Sequence, residues 1–421
     1  MDKFRIRGGR QLEGTVKIEG AKNAVLALMA GALMAEDGAS VLDNVPAGLA
    51  DVRVMSRLME AYGAQTDYDR EQRKLRINVD RLKDGIAPYD LVKQMRASFL
   101  ISGPLLARFG HFRVSLPGGC AIGARPVDLH LDGFRRLGAQ VIETEGYIEA
   151  RADRLKGTTL CLDYPTHTGT ENLMMAACLA DGETTIVNAA QEPEVADLAR
   201  FLVKMGARIS GIGTSVLVID GVGSLAPATH TVLPDRLAAG TFAVAAAVTG
   251  GKIVLEDVIP DTMRMTLCKL EEMGLVFEET AERRIEVRGP TRLSATDVKA
   301  LPFPGFPTDM QPPIMVAMAL AHGASSIRET VFESRFVHVA ELNRMGANIR
   351  TAADLAIIVG VGQLQGAPVM AGDIRAGSAL VLAGLAAVGE TIVDRVYHID
   401  RAYSRLERQL AALGADIHRI E

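Results

Sequence analysis

The sequence predicts an α/β protein built from six similar units that follow one another at a regular spacing along the chain. The first observation behind this prediction is a helix-like segment that ends in glycine, usually followed by alanine, just before a strand-like segment. These six glycines are Gly63, Gly138, Gly206, Gly274, Gly346 and Gly414. Glycine is the usual residue after a helix, because it accepts the left-handed conformation found there.

A second glycine precedes each of these within the same unit, between an Ala/Leu-rich segment and a β-branched segment. This second set is Gly38, Gly110, Gly182, Gly251, Gly323 and Gly389. Each unit is therefore predicted to contain an apolar helix, a strand, an amphipathic helix and further strands, in that order. The apolar runs at 241–248 and 379–388 are predicted to be helices buried on all sides. Because the period exceeds that of solenoid repeats, each unit is interpreted as a small α/β module.

A polar or charged residue marks the start of the first helix of each unit. The six are Lys22, Arg96, Thr168, Asp235, Asp309 and Asp373. Ordinary helix capping is an alternative explanation for the threonine and the aspartates. It does not explain Lys22 or Arg96, because a cation at a helix start opposes the helix dipole, so an anion is expected near them. If the units pack around a common axis, the six helix starts could converge on one anion-binding cavity.

Cys120 lies in the segment 116–126, which holds three glycines and two prolines in eleven residues. This composition predicts a loop and excludes a helix or a central strand. Arg125 follows five residues later and would favour the reactive thiolate form. The other cysteines are interpreted as small buried apolar residues, which is common for free cysteine; these are Cys161, Cys178 and Cys268.

Composition excludes several classes of protein. The net charge is −5, which disfavours a general nucleic-acid or anionic-membrane binder. Four unclustered cysteines and eight scattered histidines predict neither a disulfide framework nor a metal site. The N-terminus has no signal-peptide pattern, and no apolar run is long enough to span a bilayer. We therefore expect a cytoplasmic protein that uses no metal or other cofactor.

Four arginines lie beside predicted loops or turns: Arg125, Arg335, Arg375 and Arg401. A single arginine of this kind is usually part of a surface ion pair. Four of them together with Lys22 favour a site for a substrate rich in phosphate and carboxylate, since the guanidinium group binds both in a bidentate manner.

Six segments together resemble the enolpyruvyl transferase family, in the branch that acts on UDP-N-acetylglucosamine: Lys22-Asn23, 95–98, the Cys120 loop with its continuation to 130, 307–311, 372–375 and 397–401. The resemblance extends from about residue 4 to the C-terminus, and its most specific part is the Pro-Gly-Gly-Cys loop. It implies an inside-out α/β barrel of two similar domains, each made of three βαβαββ repeats. One domain would be 22–234, which carries the Cys120 loop, and the other 1–21 plus 235–421.

The resemblance implies transfer of the enolpyruvyl group of phosphoenolpyruvate to the 3′-hydroxyl of UDP-N-acetylglucosamine, with release of phosphate, in peptidoglycan synthesis. Cys120 would be the proton donor, the adduct site and the residue alkylated by fosfomycin. Asp309 would be the base, assisted by Asp373. The partners would be these two small molecules, with no nucleic acid and no membrane, and the chain is expected to be a monomer.

The resemblance also assigns the binding residues. Phosphate would be held by Lys22, Arg125 and Arg401, and the carboxylate by Arg335, Arg375 and Arg401. Asn23 would bind the intermediate. The sugar nucleotide would contact Arg96, Arg125, Pro126, Val127, Asp128, Leu129, Thr168, Gly169, Asp309 and Val331. The sequence departs from the family pattern at 165–169, which lacks a lysine that many relatives carry and offers His167 instead, and at Ala238, where many relatives have glutamate.

Three alternatives remain open from sequence. The sister enolpyruvyl transferase that acts on shikimate 3-phosphate shares the six units but lacks the Pro-Gly-Gly-Cys loop. A ring of six α/β repeats around DNA would need basic helices in every unit, whereas the cations here fall at unit-specific positions. A thiol hydrolase would pair Cys120 with His111 or His130, and a sequence gives no distance between them.

Overall fold

The computed structural model describes residues 2–46, 48–83, 85, 87–115, 127–144 and 146–421. The described chain falls into two compact units. We call residues 20–115 and 127–233, with the gaps just given, the Lys22 unit. Residues 2–19 and 234–421 form the Asp309 unit. Each unit has its own core of buried apolar side chains.

The described residues form helices and strands along the whole chain. The strands are β1 Lys3–Arg7, β2 Glu13–Lys17, β3 Ala39–Asp43, β4 Gln65–Asp69, β5 Lys74–Asn78, β6 His111–Ser115, β7 Gln140–Thr144, β8 Tyr147–Arg151, β9 Thr159–Cys161, β10 Glu183–Val187, β11 Arg208–Ser210, β12 Val216–Asp220, β13 Thr229–Thr231, β14 Lys252–Glu256, β15 Val276–Ala281, β16 Arg284–Arg288, β17 Val298–Ala300, β18 Ala324–Glu329, β19 Asn348–Ala352, β20 Leu355–Val359, β21 Pro368–Met370, β22 Glu390–Asp394 and β23 Asp416–Ile420. The helices are α1 Lys22–Ala32, α2 Ala50–Ala61, α3 Tyr89–Val92, α4 Ser102–Phe109, α5 Asp128–Arg136, α6 His167–Ala177, α7 Pro193–Lys204, α8 Arg236–Thr249, α9 Arg264–Glu272, α10 Gln311–Leu320, α11 Val339–Arg344, α12 Ile374–Ala386 and α13 Leu406–Ala412. Short 3₁₀ segments occur at Arg96–Ile101, Pro260–Met263, Thr308–Met310 and Val396–Arg401.

The same small sheet recurs three times in each unit. The Lys22 unit contains the strand orders β13-β3-β5-β4, β6-β8-β7 and β9-β10-β12-β11. The Asp309 unit contains β2-β14-β16-β15, β17-β18-β20-β19 and β21-β22-β1-β23. In every four-stranded sheet the first two strands in these orders are parallel and the remaining pairs are antiparallel. The predicted α/β fold of two similar halves with three repeats each is confirmed.

Strands from distant parts of the sequence complete three of these sheets. The strand β13 lies parallel to β3, with Thr229 beside Val41, although the other two sheets of the Lys22 unit come between them in the sequence. In the Asp309 unit, β2 lies parallel to β14, and β1 lies between β22 and β23 near the end of the chain. Both units are therefore assembled from segments that are far apart in sequence.

Helices form the inside of the Asp309 unit. The helices α8, α10 and α12 pack against one another, and most of their residues are buried. Such helices need no polar face, and their many alanines and glycines allow the helix axes to approach closely. The predicted burial of 241–248 and 379–388 is confirmed except at the ends, where Val388 is 48 % exposed. In the Lys22 unit, α4 packs on α6, and α1 packs on α7 and on Arg96–Ile101.

The six glycines of the first set are confirmed as helix-ending residues, because each directly follows a helix C-cap and has φ between 91° and 109°. In the second set only Gly110 directly ends a helix, and Gly250 rather than Gly251 takes the left-handed conformation (φ 61°) and ends α8. Among the described residues, no helix combines the length and the apolar character that crossing a membrane requires.

Candidate functional site

Three aspartates begin the three central helices of the Asp309 unit, and two of them are helix caps. Asp235 Oδ1 accepts hydrogen bonds from the backbone N–H groups of Leu237 and Ala238, both at 2.9 Å. Asp373 Oδ1 accepts from the N–H groups of Arg375 and Ala376, at 2.7 and 3.0 Å. Ordinary capping therefore accounts for these two aspartates. Because the Asp235 cap is intact, the alanine at position 238 does not remove it.

Asp309 has a different role, because its carboxylate binds two arginines. It lies in Thr308–Met310, and its oxygens accept from Arg335 Nη2 at 2.9 Å and from Arg375 Nε at 3.1 Å. Only 2 % of Arg335 and 4 % of Arg375 are exposed. Burial lowers the pKa of Arg375, but Tyr403, Asp309 and Asp235 raise it by more, so its pKa lies above the ordinary value. The sequence analysis predicted these three residues for one site, and the structure brings them into contact.

Each of these arginines keeps a donor that Asp309 does not use. Nη1 of Arg335 and Nη2 of Arg375 make no hydrogen bond within the part of the chain that the structure describes. Two guanidinium groups fixed on one carboxylate can therefore present further N–H groups to an anionic ligand. A carboxylate or a phosphate oxygen satisfies such donors.

Glu329, which no sequence motif indicated, holds the backbone around Asp309 and Val331. It lies at the end of β18 and is 3 % exposed. Its carboxylate accepts from Thr308 Oγ1 at 2.8 Å and from the N–H groups of Val331 and Phe332 at 2.9 and 3.2 Å. Burial raises the pKa of Glu329, although these hydrogen bonds oppose the shift. Its position at the carboxyl end of a strand could have indicated a functional role.

Several buried polar atoms near these helix starts lack a hydrogen-bond partner among the described residues. They are both amide atoms of Gln311, Nε of Arg335, both ring nitrogens of His338 and Oδ2 of Asp373. Burial lowers the pKa of His338 to about 4, against the opposing effect of Asp373. Buried polar groups are normally satisfied by protein, ligand or ordered water. These atoms are therefore suited to bind water or a polar ligand.

Arg401 ends the 3₁₀ segment Val396–Arg401 and is half-buried. Burial, together with the charge of Arg401, lowers the pKa of the nearby His398. The Asp309 unit thus contains three of the four predicted arginines.

Lys22 begins α1 in the Lys22 unit, and its unfavourable position at a helix start has a local explanation. Its Nζ lies 3.0 Å from Oδ2 of Asp51, and only 3 % of the Asp51 side chain is exposed. The carboxylate of Asp51 is thus one anion beside Lys22. Asn23 follows in the same helical turn and is half-buried.

Thr168 is not the cap of α6, contrary to the capping interpretation. The cap is Thr166, whose Oγ1 accepts from the Gly169 N–H at 3.3 Å. Thr168 Oγ1 instead lies 3.3 Å from His130 Nε2, while His130 Nδ1 lies 3.1 Å from Asn172 Nδ2. Both nitrogens of His130 are therefore engaged, which disfavours this histidine as the base of a thiol hydrolase.

Arg96 begins Arg96–Ile101, but a helical turn, α3, precedes it rather than a strand. Its charge contributes to the environment of His130. Burial, and to a lesser degree Arg96, lower the pKa of His130 to about 3.

A His130→Gln variant is expected to lose part of the pH dependence of folding stability. The folded protein keeps His130 neutral down to about pH 3, whereas the imidazole of the unfolded chain is protonated below its ordinary pKa of 6.5. Protonation below pH 6.5 therefore favours the unfolded chain. The free energy of unfolding is highest above pH 6.5 and decreases as the pH falls from 6.5 toward 3. Between pH 7 and pH 5 this effect lowers the free energy of unfolding of the wild type by about 2 kcal/mol.

Chemical denaturation of both proteins at pH 7 and pH 5 measures this effect. The control is His322→Gln, because His322 is exposed. An equal loss of stability on acidification in the wild type and in His130→Gln would contradict the explanation.

His167 supplies a cation at the start of α6, where the sequence lacks the lysine of many relatives. Its Nε2 lies 3.1 Å from Glu171 Oε1, and Glu171 is 1 % exposed. Although burial lowers the pKa of His167, Glu171, Glu192 and Glu194 together raise it to about 10. A quarter of the side chain is exposed, so solvent reduces this effect, but the direction favours the charged imidazolium.

Cys120, Arg125 and Pro126 lie outside the described residues. Val127 directly precedes α5 and makes no capping bond with its side chain, and Asp128 and Leu129 are the first two residues of this helix. Gly169 is buried in the first turn of α6.

The prediction of buried cysteines was wrong for Cys161, which is exposed. It ends the edge strand β9, and its side chain points away from the core. Cys178 is buried as predicted, and burial raises its pKa to about 12. Cys268 is only partly buried. Within the described residues, no group of three or more His, Cys, Asp or Glu side chains is arranged to hold a metal ion.

Comparison with known proteins identifies the family. The family model described as EPSP synthase (3-phosphoshikimate 1-carboxyvinyltransferase) matches residues 6–410. A UDP-N-acetylglucosamine 1-carboxyvinyltransferase 1 from Caldanaerobacter subterraneus is 53 % identical, over 99 % of both chains. A UDP-N-acetylglucosamine 1-carboxyvinyltransferase from Magnetococcus marinus is 52 % identical over the full length of both chains.

Solved structures have the same fold. The enolpyruvyl transferase NikO from Streptomyces tendae is 26 % identical, with a TM-score of 0.90 over 99 % of this chain and 98 % of that one. An EPSP synthase from Acinetobacter baumannii is 20 % identical, with a TM-score of 0.78 over both full chains, which shows the shared fold. The chain therefore belongs to the enolpyruvyl transferase family, within its group of UDP-N-acetylglucosamine 1-carboxyvinyltransferases.

Proposed function

We propose that this chain transfers the enolpyruvyl group of phosphoenolpyruvate to the 3′-hydroxyl of UDP-N-acetylglucosamine and releases phosphate, as the first committed step of peptidoglycan synthesis. Full-length relatives at 50–53 % identity carry the name of this activity. The structural observation that carries the proposal is the pair of buried arginines on Asp309, each with a further donor available. Such a pair suits the carboxylate of phosphoenolpyruvate.

The reaction is an addition followed by an elimination. In the addition, C3 of the enol gains a proton, the sugar hydroxyl loses one, and its oxygen bonds to C2. In the elimination, C3 loses a proton, the C2–O bond to phosphate breaks, and the double bond forms again. We assign the C3 proton to Cys120 and the hydroxyl proton to Asp309, with Asp373 assisting. Arg335 and Arg375 hold the carboxylate of Asp309 in a fixed orientation.

The remaining assignments concern binding. Lys22, Arg125 and Arg401 bind the phosphate of phosphoenolpyruvate, and Arg335, Arg375 and Arg401 bind its carboxylate. Asn23 binds the tetrahedral intermediate. The sugar nucleotide is bound by Arg96, the segment 125–129, Thr168, Gly169, Asp309 and Val331. The protonated His167 adds positive charge at the start of α6, where phosphate groups are favoured.

The two compact units correspond in this proposal to the two domains expected at 22–234 and at 1–21 plus 235–421. The protein works in the cytoplasm as a monomer, where both substrates are small soluble molecules. It needs no cofactor, because arginines and helix starts supply the positive charge that the reaction requires.

Release of inorganic phosphate tests the function directly. We expect release from phosphoenolpyruvate only when UDP-N-acetylglucosamine is also present. Each substrate alone is the control, and shikimate 3-phosphate is the alternative acceptor, because the matching family model carries that name. Release with shikimate 3-phosphate and not with the sugar nucleotide would replace the proposal by the sister activity. No release with either acceptor would refute both.

A further inference from the structure

The hydroxyl of Tyr403 is the centre of a buried hydrogen-bond network in the Asp309 unit. Tyr403 is 3 % exposed. Its oxygen lies 2.9 Å from Arg375 Nη1, 2.8 Å from Thr241 Oγ1 and 3.3 Å from Ser378 Oγ. Thr241 is on α8, whereas Arg375 and Ser378 are on α12. Tyr403 thus connects two of the three central helices at one atom.

Counting the hydroxyl protons fixes the direction of each bond. Thr241 donates its proton to the carbonyl of Leu237 at 2.9 Å, and Ser378 donates its own to the carbonyl of Arg375 at 2.9 Å. Each of these two oxygens can therefore only accept from Tyr403, whose single proton lies toward the nearer Thr241 oxygen or is shared with Ser378. Tyr403 in turn must accept from Arg375, since a guanidinium group has no acceptor. A phenylalanine in its place would leave Arg375 Nη1 without an acceptor.

These bonds fix the orientation of the Arg375 guanidinium group. Its Nε is held by Asp309, its Nη1 by Tyr403, and the tyrosine ring centroid lies 5.4 Å from its central carbon. A planar group that is held at two of its three nitrogens cannot rotate, so the direction of Nη2 is determined. Tyr403 and Asp309 together therefore fix the direction in which Nη2, the unused donor of Arg375, points.

Tyr403 also holds the segment that carries Arg401. The backbone N–H groups of Ala402 and Tyr403 both donate to the carbonyl of Ile399, at 3.0 Å. The tyrosine thus lies two residues beyond Arg401 and ends the same turn. Its anchoring restrains Arg375 and Arg401, two of the three arginines to which the proposed function assigns the carboxylate of phosphoenolpyruvate.

We propose that Tyr403 is a positioning residue that orients Arg375, and with it the carboxylate of phosphoenolpyruvate, without touching the substrate itself. This inference rests on the proposed function. A Tyr403→Phe variant is expected to raise KM for phosphoenolpyruvate about tenfold, since a hydrogen bond to a charged group is lost. KM for the sugar nucleotide should change less than about twofold, because among the described residues the hydroxyl bonds only to Arg375, Thr241 and Ser378.

The control for general loss of stability is Tyr68→Phe. It removes a hydroxyl that donates to the backbone carbonyls of Val45 and Pro46 in the Lys22 unit, at 3.3 and 3.2 Å. The chemical change is the same, but KM for phosphoenolpyruvate should stay at the wild-type value. An equal rise of both Michaelis constants in Tyr403→Phe would indicate a purely structural role and overturn the proposal.

A double-mutant cycle with Arg375→Lys tests whether Tyr403 acts through Arg375. In the Arg375→Lys background, Tyr403→Phe should change KM for phosphoenolpyruvate less than about twofold, because the group that it orients is gone. A full tenfold effect in that background would refute the inference. Thr241→Val, which removes the nearer acceptor of the tyrosine proton, replaces Tyr403→Phe in the cycle if that variant is too unstable to assay.

Failure of this inference differs from failure of the proposed function. A wild-type enzyme that releases phosphate while Tyr403→Phe behaves identically refutes only the role of Tyr403. A wild-type enzyme that releases no phosphate with the sugar nucleotide refutes the function itself.

Discussion

Asp309→Asn should lower kcat/KM for phosphate release at least about 30-fold, which corresponds to about 2 kcal/mol of transition-state stabilisation. The amide cannot take the proton of the sugar hydroxyl at neutral pH. It also offers one oxygen where the carboxylate offered two, so its NH₂ group faces either Arg335 or Arg375. The measurement is steady-state phosphate release with both substrates varied. Unchanged turnover would exclude Asp309 as the base.

The same variant should also be less stable, and this effect must be measured separately. Removing one partner of a buried ion pair costs about 3–5 kcal/mol. We expect the lower end of that range, because Arg375 keeps its bond to Tyr403 and 26 % of the Asp309 side chain is exposed. Chemical denaturation gives this value, and kinetics are then compared under conditions where both proteins are folded.

Asp354→Asn is the matched control for Asp309→Asn. Asp354 pairs with Arg328 at 2.7 Å, but about half of each side chain is exposed. A surface pair of this kind contributes about 1 kcal/mol or less, so the same chemical change should alter neither stability nor turnover noticeably. If both asparagine variants lose stability to the same extent, the burial argument for Asp309 is wrong.

The repeat could be predicted from sequence because its signals are local. A glycine that ends a helix is specified by its own backbone conformation, as the φ values of Gly63 and Gly346 show. The apolar central helices have alanine-rich sequences that no amphipathic surface helix would have. Two adjacent glycines predict the same helix end, so the sequence alone could not show that α8 ends at Gly250 rather than at Gly251.

The pairing of charged side chains could not be predicted from sequence, because the two partners lie on different elements of the chain. Lys22 begins α1 and its partner Asp51 lies in α2, while Asp309 binds one arginine that follows β18 and another in α12. The sequence indicated that an anion should be near Lys22 but not which one. The same limit applies to β1 and β2, which begin the chain but pair with strands of its second half.

At some single residues, the local sequence led to a wrong prediction. Thr166 and Thr168 are both suitable caps, and only the hydrogen bond to Gly169 distinguishes them. Cys161 lies in an apolar-looking strand, but strand side chains alternate between two faces, and this one faces outward. Tyr403 and Glu329 were missed because each acts through a neighbour rather than through a recognisable motif.

Gly360→Ala is expected to lower the free energy of unfolding by about 3 kcal/mol or more. Gly360 directly follows β20, and a Cβ atom built on it would overlap the carbonyl oxygen of Ala321, the residue that directly follows α10. The backbone cannot simply move away, since the Gly360 N–H donates to the Gly323 carbonyl at 2.9 Å. Relief would require α10, which is almost fully buried, to shift. Chemical denaturation with a fitted m-value measures the loss.

The chain supplies its own control two residues away. A Cβ atom on Gly362 would meet no heavy atom within 4 Å, and its backbone conformation is not left-handed, so Gly362→Ala should be neutral or slightly stabilising. The Lys22 unit repeats the pair: Gly221 would overlap the carbonyl oxygen of Ala180, and Gly223 is open. If every repeat requires this close contact between glycine and a carbonyl oxygen, Gly221→Ala must lower the stability of the protein and Gly223→Ala must not. Equal denaturation midpoints for the two members of either pair would show that the backbone there yields, and that these glycines are not a structural requirement of the module.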